Sequence, residues 1–147
     1  MSDLASLYQQ LILDHSKNPV GRHPLAQATA SSHQVNPTCG DEVTLAIEVR
    51  DGLIAAVGWE GHGCSISQAS ASLLAGLVEK STVENASALL DEFREAMRSR
   101  GSIELDEERF GDAIALNGVS KYVARVKCAM LPWVALEHAM GTQTTSS

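Results

Sequence analysis

Residues 43–59, which decide the fold, read VTLAIEVRDGLIAAVGW. In the first half of this stretch, apolar side chains occupy every second position, which is the period of a strand with one buried face. A second apolar run follows directly after Asp51-Gly52. Asp-Gly between two such runs is a strong signal for a β-hairpin turn. The stretch therefore predicts two antiparallel strands, and a further strand is expected around His33.

Helical periodicity flanks this hairpin on both sides. Residues 4–12 carry apolar side chains at spacings of three and four, as on one face of an amphipathic helix. This helix is expected to end near Pro19, because proline disfavours a helical backbone at the residue before it. After the hairpin, Gly61 and Gly63 are expected to break the strand, and a helix is expected over residues 64–80.

Two further helices are expected in the middle of the chain. Residues 81–84 read STVE, which matches a capping box and predicts the start of a helix. Gly101 is expected to end that helix. A short helix is expected over residues 112–117.

The last helix is expected to begin near Cys128, with Pro132 in its first turn. It is expected to end near Met140, and residues 141–147 are predicted to form a disordered polar tail. Because no internal repeat and no linker is visible, residues 1–140 are interpreted as a single domain. The predicted fold class is α+β, with a small, mainly antiparallel three-stranded sheet packed by helices.

The bulk composition argues against several classes of function. A formal net charge of −7 argues against a surface that follows the phosphates of a nucleic acid. No stretch approaches the ~20 apolar residues of a membrane-spanning helix, and no signal peptide is visible, so a cytoplasmic protein is predicted. Residues 91–112 hold eight acidic and four basic side chains. They are interpreted as a solvated helical face, with a docking surface for a basic partner as the alternative.

Three cysteines and one aspartate carry the strongest chemical signal. Cys39 and Asp41 lie in the turn-like sequence NPTCGD. Cys64 and Cys128 lie where helices are expected to begin, and there the helix dipole favours a thiolate. Three thiolates and one carboxylate fill a tetrahedral zinc shell. The same thiolates could instead carry sulfur or hold iron.

Each cysteine taken singly has a plainer interpretation. A cysteine is more often a small buried apolar residue than a ligand, and the Cys-x-x-Cys spacing of zinc fingers is absent from the sequence. His62 is interpreted as a solvated histidine, because nothing singles out the third group that a Cys–His hydrolase needs. The joint pattern favours ligands, since all three cysteines lie at predicted turns or helix starts.

Beyond these residues, the chain resembles the U-type iron–sulfur cluster assembly proteins over nearly its whole length. The resemblance rests on separated motifs in the family's order, which are LY through HSKNP within residues 7–19, NPTCGD at 36–41, GHGCSISQAS at 61–70 and RVKCA at 125–129. Members of this family have an α+β fold with a small, mainly antiparallel sheet packed by helices. Their four-ligand site lies at one exposed end.

Two branches of the family perform different tasks. The scaffold branch (IscU-like) assembles a [2Fe–2S] cluster and has a histidine just before its third cysteine. The sulfur-transfer branch (SufU-like) has a lysine there and a longer segment between the second and third cysteines. Here Lys127 precedes Cys128, and residues 65–127 separate that cysteine from Cys64. Both features resemble the SufU type.

The resemblance implies that one Zn²⁺ ion is bound by four side chains, namely Cys39, Asp41, Cys64 and Cys128. It also implies that Cys39 accepts persulfide sulfur from a SufS-type cysteine desulfurase in the SUF pathway, with an iron–sulfur scaffold downstream. Arg125 is the second candidate catalytic residue. It could steady Asp41 or the thiolate that a partner ligand displaces from zinc, and a surface ion pair is the plainer alternative. Two other functions stay open. One is a scaffold that assembles a [2Fe–2S] cluster on the same ligands, and the other is a purely structural zinc module.

Overall fold

The computed structural model describes residues 3–37 and 40–145. Its elements in chain order are α1 (Asp3–Lys17), β1 (Ala30–Asn36), β2 (Asp41–Arg50), β3 (Leu53–His62), α2 (Ser65–Val78), α3 (Val83–Arg98), α4 (Glu107–Phe110), a 3₁₀ helix (Gly111–Lys121) and α5 (Val123–Thr145). This set of elements confirms the predicted α+β class. None of the described helices is both long enough and apolar enough to cross a membrane.

The sheet has three antiparallel strands in the order β1-β2-β3. Asn36, at the end of β1, pairs with Asp41 at the start of β2. The turn between β2 and β3 is formed by Asp51 and Gly52, whose φ angles are 52° and 77°. Two positive φ angles are what a type I′ hairpin turn requires, so the predicted hairpin is confirmed. The strand expected around His33 is β1.

Gly61 lies inside β3, so the prediction that it breaks the strand was wrong. It pairs with Val43, and a Cβ built on it would lie 2.2 Å from the carbonyl oxygen of Glu42. Glycine is needed here because the two backbones approach closely, and not because the strand turns. The strand ends at His62, and Gly63 follows with a φ of 151°.

Helices cover one face of the sheet. α5 packs on β1 and β2, and α2 packs on β3, α1 and α5. The inward side chains of β2 that the alternation predicts are buried, namely Val43, Leu45 and Ile47. Farther along α5, Trp133 stacks on Phe93 of α3 with ring centroids 4.4 Å apart. α5 is therefore the helix that joins the sheet to both α2 and α3.

α5 begins earlier than the sequence predicts. Its first turn forms at Tyr122, whose carbonyl accepts from the N–H groups of Arg125 and Val126. Cys128 consequently lies in the second turn of the helix, and Pro132 lies inside it. The prediction was wrong because proline is most common at the first helical position, where its missing N–H costs nothing.

A side chain of α2 bonds to the backbone of α5 close to the interior proline. Pro132 has no N–H to donate to the carbonyl of Cys128, and its ring crowds that carbonyl. The hydroxyl of Ser70, which is fully buried, donates a 2.6 Å hydrogen bond to the neighbouring carbonyl of Ala129. α2 thus supplies a donor to α5 one residue away from Cys128.

The N-cap of α3 is Thr82, whereas the predicted capping box begins at Ser81. The Thr82 side chain accepts from the N–H of Asn85. The carbonyl of Ser81 accepts from the N–H of Ile54, so the backbone of Ser81 is tied to β3 and the helix starts one residue later.

Other helix bounds also differ from the predictions. α3 ends at Arg98, with Ser99 as its C-cap and Arg100 in the left-handed region at a φ of 57°, so the helix stops before the predicted Gly101. The short helix expected over residues 112–117 is part of the longer 3₁₀ helix. α5 does not end near Met140, and residues 141–145 of the predicted tail are helical. A glycine at 141 costs only about 1 kcal/mol in a helix interior. Residues 146–147 lie outside the described part of the chain.

Candidate metal centre

Three of the four proposed ligands meet at one end of the sheet. Asp41 begins β2, Cys64 is the N-cap of α2, and Cys128 lies in the second turn of α5. One ligand atom from each of these side chains lies within 4.8 Å of the other two. The structure therefore brings together residues whose convergence the sequence alone does not establish.

Asp41 is fully buried at the centre of this group. Its Oδ1 accepts a 2.9 Å hydrogen bond from the N–H of Cys64, and its Oδ2 lies 3.8 Å from Cys64 Sγ. Within residues 3–37 and 40–145, no lysine, arginine or histidine forms an ion pair with it. A buried carboxylate is normally paired with a cation or bound to a metal. The donor set therefore fits a divalent metal ion.

Gly63 makes room for the Asp41 carboxylate. A Cβ built on Gly63 would lie 2.2 Å from Asp41 Oδ1 and 2.9 Å from Ser67 Oγ, and the φ of 151° disfavours any side chain. The sequence analysis treats Gly63 only as a residue that breaks the strand and misses this role. The signal that points to it is a glycine directly before a candidate ligand.

Cys64 occupies the N-cap position of α2, as the sequence predicts. This half-buried residue has an extended backbone, with φ −74° and ψ 167°, and its side chain lies beside the first turn of the helix. Ser67 Oγ donates to the Cys64 carbonyl at 3.0 Å and lies 4.0 Å from Cys64 Sγ. The unpaired N–H groups and the dipole of a helix start stabilise a negative sulfur.

The stabilising effect of a helix start does not apply to Cys128, because α5 does not begin there as the sequence predicts. Cys128 is buried, 4% exposed, and its thiol points back along α5 to the carbonyl oxygen of Ala124 at 3.7 Å. A residue in the second turn lies beyond the free N–H groups of the helix start. A thiolate at Cys128 would depend on a bound cation instead.

Cys39 and its neighbour Thr38 lie outside the described residues, so the structure does not test Cys39 as a ligand. The N–H of Gly40 donates a 2.9 Å hydrogen bond to the carbonyl of Asn36. Gly40 has a φ of 73°, and a Cβ built on it would meet nothing within 4 Å. Glycine at position 40 is therefore required by the backbone conformation and not by packing. Chain connectivity keeps Cys39 two residues from Asp41.

The charged residues near the cysteines are exposed. Arg125 lies in the first turn of α5, one turn before Cys128, and forms no ion pair with Asp41 among the described residues. Lys127 is also exposed. The side chain of His62 is 72% exposed, which confirms the interpretation of a solvated histidine, and its Nε2 lies 3.4 Å from Glu42 Oε1.

Known proteins are similar to this chain in both sequence and fold. A profile of the NifU-like N-terminal domain matches residues 7–129. The zinc-dependent sulfurtransferase SufU of Bacillus subtilis is 37% identical over 143 residues, which cover 97% of this chain and 95% of that protein. The iron–sulfur cluster assembly scaffold protein IscU of Thermotoga maritima is 35% identical over 134 residues, which cover 91% of this chain and 92% of that protein.

One solved structure extends the likeness to three dimensions. It is the putative iron–sulfur cluster assembly scaffold protein for the SUF system, FiSufU, from Fervidobacterium islandicum AW-1. Its TM-score is 0.78 at 35% identity, with 89% of this chain and 94% of that chain covered.

Proposed function

Because the chain belongs to the NifU-like N-terminal domain family, we propose that it is a zinc-dependent sulfur-transfer protein of iron–sulfur cluster assembly by the SUF pathway. A SufS-type cysteine desulfurase supplies persulfide sulfur, Cys39 accepts it, and a downstream iron–sulfur scaffold receives it. The observation that carries the proposal is the group formed by Asp41, Cys64 and Cys128, whose ligand atoms lie within 4.8 Å of one another. A relative that is named zinc-dependent aligns with 97% of the chain.

The proposed metal is one Zn²⁺ ion, with four ligands. They are Cys39, Asp41, Cys64 and Cys128. Three sulfur atoms and one carboxylate oxygen form the closed four-coordinate shell that zinc prefers. When bound, zinc keeps its ligand thiols deprotonated at neutral pH. Among the described residues, the buried Asp41 carboxylate forms no ion pair, and a bound cation would offset its charge.

Cys39 is the proposed nucleophile. Its thiolate attacks the outer sulfur of the desulfurase persulfide, a new S–S bond forms on Cys39, and the desulfurase cysteine leaves as a thiolate. One S–S bond replaces another, so no oxidant or reductant is consumed. Cys64 and Cys128 are less suited to this step, because one caps α2 and the other is buried within α5.

Arg125 is the proposed second participant. It lies in the first turn of α5, one turn before Cys128, and its guanidinium is exposed. A guanidinium beside a thiol lowers the energy of the thiolate, so Arg125 is assigned to steady the nucleophilic sulfur or Asp41. We further propose that residues 1–140, together with the end of α5 up to Thr145, form one domain that acts in the cytoplasm, where thiols stay reduced.

A cluster scaffold is the second candidate function. It is favoured by the Thermotoga maritima relative, which is named a scaffold and is 35% identical to this chain. Lys127 stands before Cys128, where the scaffold branch that the sequence resembles has a histidine. This position favours sulfur transfer over cluster assembly.

Metal analysis after anaerobic purification separates the two functions. We expect one zinc per chain, without labile sulfide. Iron with labile sulfide in place of zinc would instead support the scaffold.

Sulfur transfer is tested with a SufS-type desulfurase and cysteine. The zinc-loaded protein is expected to accelerate desulfurase turnover, and mass spectrometry of the trapped mixture is expected to find persulfide on Cys39 alone. Cys39→Ala should abolish the acceleration. Zinc without any persulfide would indicate a purely structural zinc module, and full acceleration by Cys39→Ala would exclude Cys39 as the acceptor.

A further inference from the structure

A groove with a volume of about 690 Å³ opens beside the metal centre. Its walls are α1, the 3₁₀ helix, and the first turns of α2 and α5. Ser65, which lines the groove, directly follows Cys64, and Arg125, which also lines it, lies one turn before Cys128. An occupant of the groove would therefore lie next to two of the three described ligands.

The groove carries a positive charge in an acidic protein. The chain has 18 acidic side chains and a net charge of −7, yet the described residues that line the groove include Lys121 and Arg125 and no aspartate or glutamate. Within the described part of the chain, neither of these two cations forms an ion pair. Two cations that form no ion pair among the described residues attract a negatively charged occupant.

The walls of the groove are also apolar and accessible. Leu13 of α1 is 44% exposed, and Tyr122, which precedes α5, is 61% exposed. Both line the groove, together with the buried Ile66 at the start of α2. Clustered apolar side chains that remain open to water, with charges at the rim, are typical of surfaces that bind another protein.

We propose that this groove is the docking surface for an acidic, apolar segment of the cysteine desulfurase. The inference rests on the proposed function, since it assigns the surface through which the same site meets its sulfur donor. An apolar side chain of the donor fills the groove between Leu13 and Tyr122, and a carboxylate beside it pairs with Lys121. Docking there places the donor against the end of the sheet where the sulfur is received.

The test measures the affinity of the zinc-loaded protein for a SufS-type desulfurase by titration calorimetry. Leu13→Glu places a carboxylate in the groove and is expected to raise the Kd at least tenfold. Leu7→Glu is the matched control, because Leu7 is 53% exposed on the same helix but does not line the groove. Its Kd is expected to stay within twofold of the unmodified protein.

Charge is tested in the same way. Lys121→Glu is expected to raise the Kd at least tenfold and to make it less dependent on salt, because an attractive charge has been replaced by a repulsive one. Lys80→Glu, an exposed lysine that does not line the groove, is expected to change the Kd less than twofold. Zinc content and thermal midpoint are measured for every variant, so that loss of binding is not confused with loss of fold.

The outcomes separate the groove from the function on which it rests. If the unmodified protein accelerates the desulfurase but the two groove variants bind like their controls, the docking surface is wrong and the function stands. If the unmodified protein neither binds nor accelerates the desulfurase, the proposed function itself fails. If the groove variants convert a dimer to a monomer in sedimentation with unchanged desulfurase affinity, the occupant is a second copy of this chain, which also overturns the proposal.

Discussion

The backbone N–H of Cys64 donates a 2.9 Å hydrogen bond to Oδ1 of Asp41. This bond joins the start of α2 to the start of β2, so one proposed ligand positions another. Asp41 thus supplies both an acceptor atom and a negative charge, and substitutions can remove these two properties separately.

Asp41→Asn keeps the acceptor atom and removes the charge. Without metal, we expect this variant to be more stable than the unmodified protein by about 1–3 kcal/mol, because an unpaired buried carboxylate is replaced by a neutral group. With zinc, we expect the order to reverse, because the variant loses an anionic ligand. Urea denaturation with excess zinc and with excess chelator measures the free energy of unfolding under the two conditions.

Asp41→Ala serves as the comparison, since it removes the acceptor for the Cys64 N–H as well. It is expected to be less stable than Asp41→Asn under both conditions. An Asp41→Asn variant that is less stable than the unmodified protein in chelator would show that the carboxylate is satisfied without a metal.

Gly63→Ala is expected to disrupt the metal centre. The added Cβ would lie 2.2 Å from Asp41 Oδ1, so the carboxylate must move. We expect loss of most of the bound zinc and destabilisation by about 2 kcal/mol or more, in line with other strained backbone sites. Zinc content and urea denaturation check the two effects.

Gly76→Ala is the control within the adjoining helix. Gly76 is exposed inside α2, and a Cβ there meets nothing within 4 Å. It should keep its zinc and gain about 0.5–1 kcal/mol from helix propensity. Normal zinc content in Gly63→Ala would contradict the assigned role of Gly63.

Ser70→Ala is expected to weaken the contact between α2 and α5. It removes the 2.6 Å hydrogen bond from the Ser70 hydroxyl to the buried carbonyl of Ala129, at a cost of about 0.5–1.5 kcal/mol. Ser102→Ala removes an exposed hydroxyl that donates to the carbonyl of Ser99 and should cost less than about 0.5 kcal/mol. Equal stabilities of the two variants in urea would refute this role for Ser70.

Arg22→Ala is expected to raise the pKa of Glu60. The Arg22 guanidinium donates a 3.0 Å hydrogen bond to Glu60 Oε1, and this contact lowers the pKa of Glu60 from its ordinary value of 4.5. An NMR titration of the carboxyl carbon should show the increase. Arg50→Ala, which removes a cation paired with Glu48, should leave the pKa of Glu60 unchanged.

The lowered pKa of Glu60 fixes the sign of the stability change. A carboxyl group whose pKa is lower in the folded state stabilises the fold above its unfolded pKa and loses that contribution as pH falls through its folded pKa. The stability difference between the unmodified protein and Arg22→Ala should therefore be present at neutral pH and shrink below about pH 4.5. A difference that grows on acidification would contradict the ion pair as its source.

Locally encoded features could be predicted from the sequence. The hairpin depends on Asp51-Gly52 and on alternation along one strand, and both are properties of neighbouring residues. The start of α2 at Cys64 is similarly local, because a glycine precedes it and an apolar helical pattern follows. The U-type family could also be identified from short motifs, which the match over residues 7–129 confirms.

Features that depend on distant contacts could not be predicted. The place of Cys128 in the second turn of α5 was missed because Pro132 looks like a helix start, whereas the helix begins at Val123 and packs along β1 and β2. The role of Gly63 is visible only when the Asp41 carboxylate is placed against it. No local pattern contains either relationship.

The position of α5 in the chain also limits when the protein can fold during synthesis. It follows all the other elements in the chain, yet it covers β1 and β2 and carries Cys128. While Val123 and the residues after it are still inside the ribosome, one apolar face of the sheet is uncovered. Such an intermediate is prone to aggregation, and the sheet cannot be covered until the residues of α5 have left the ribosome.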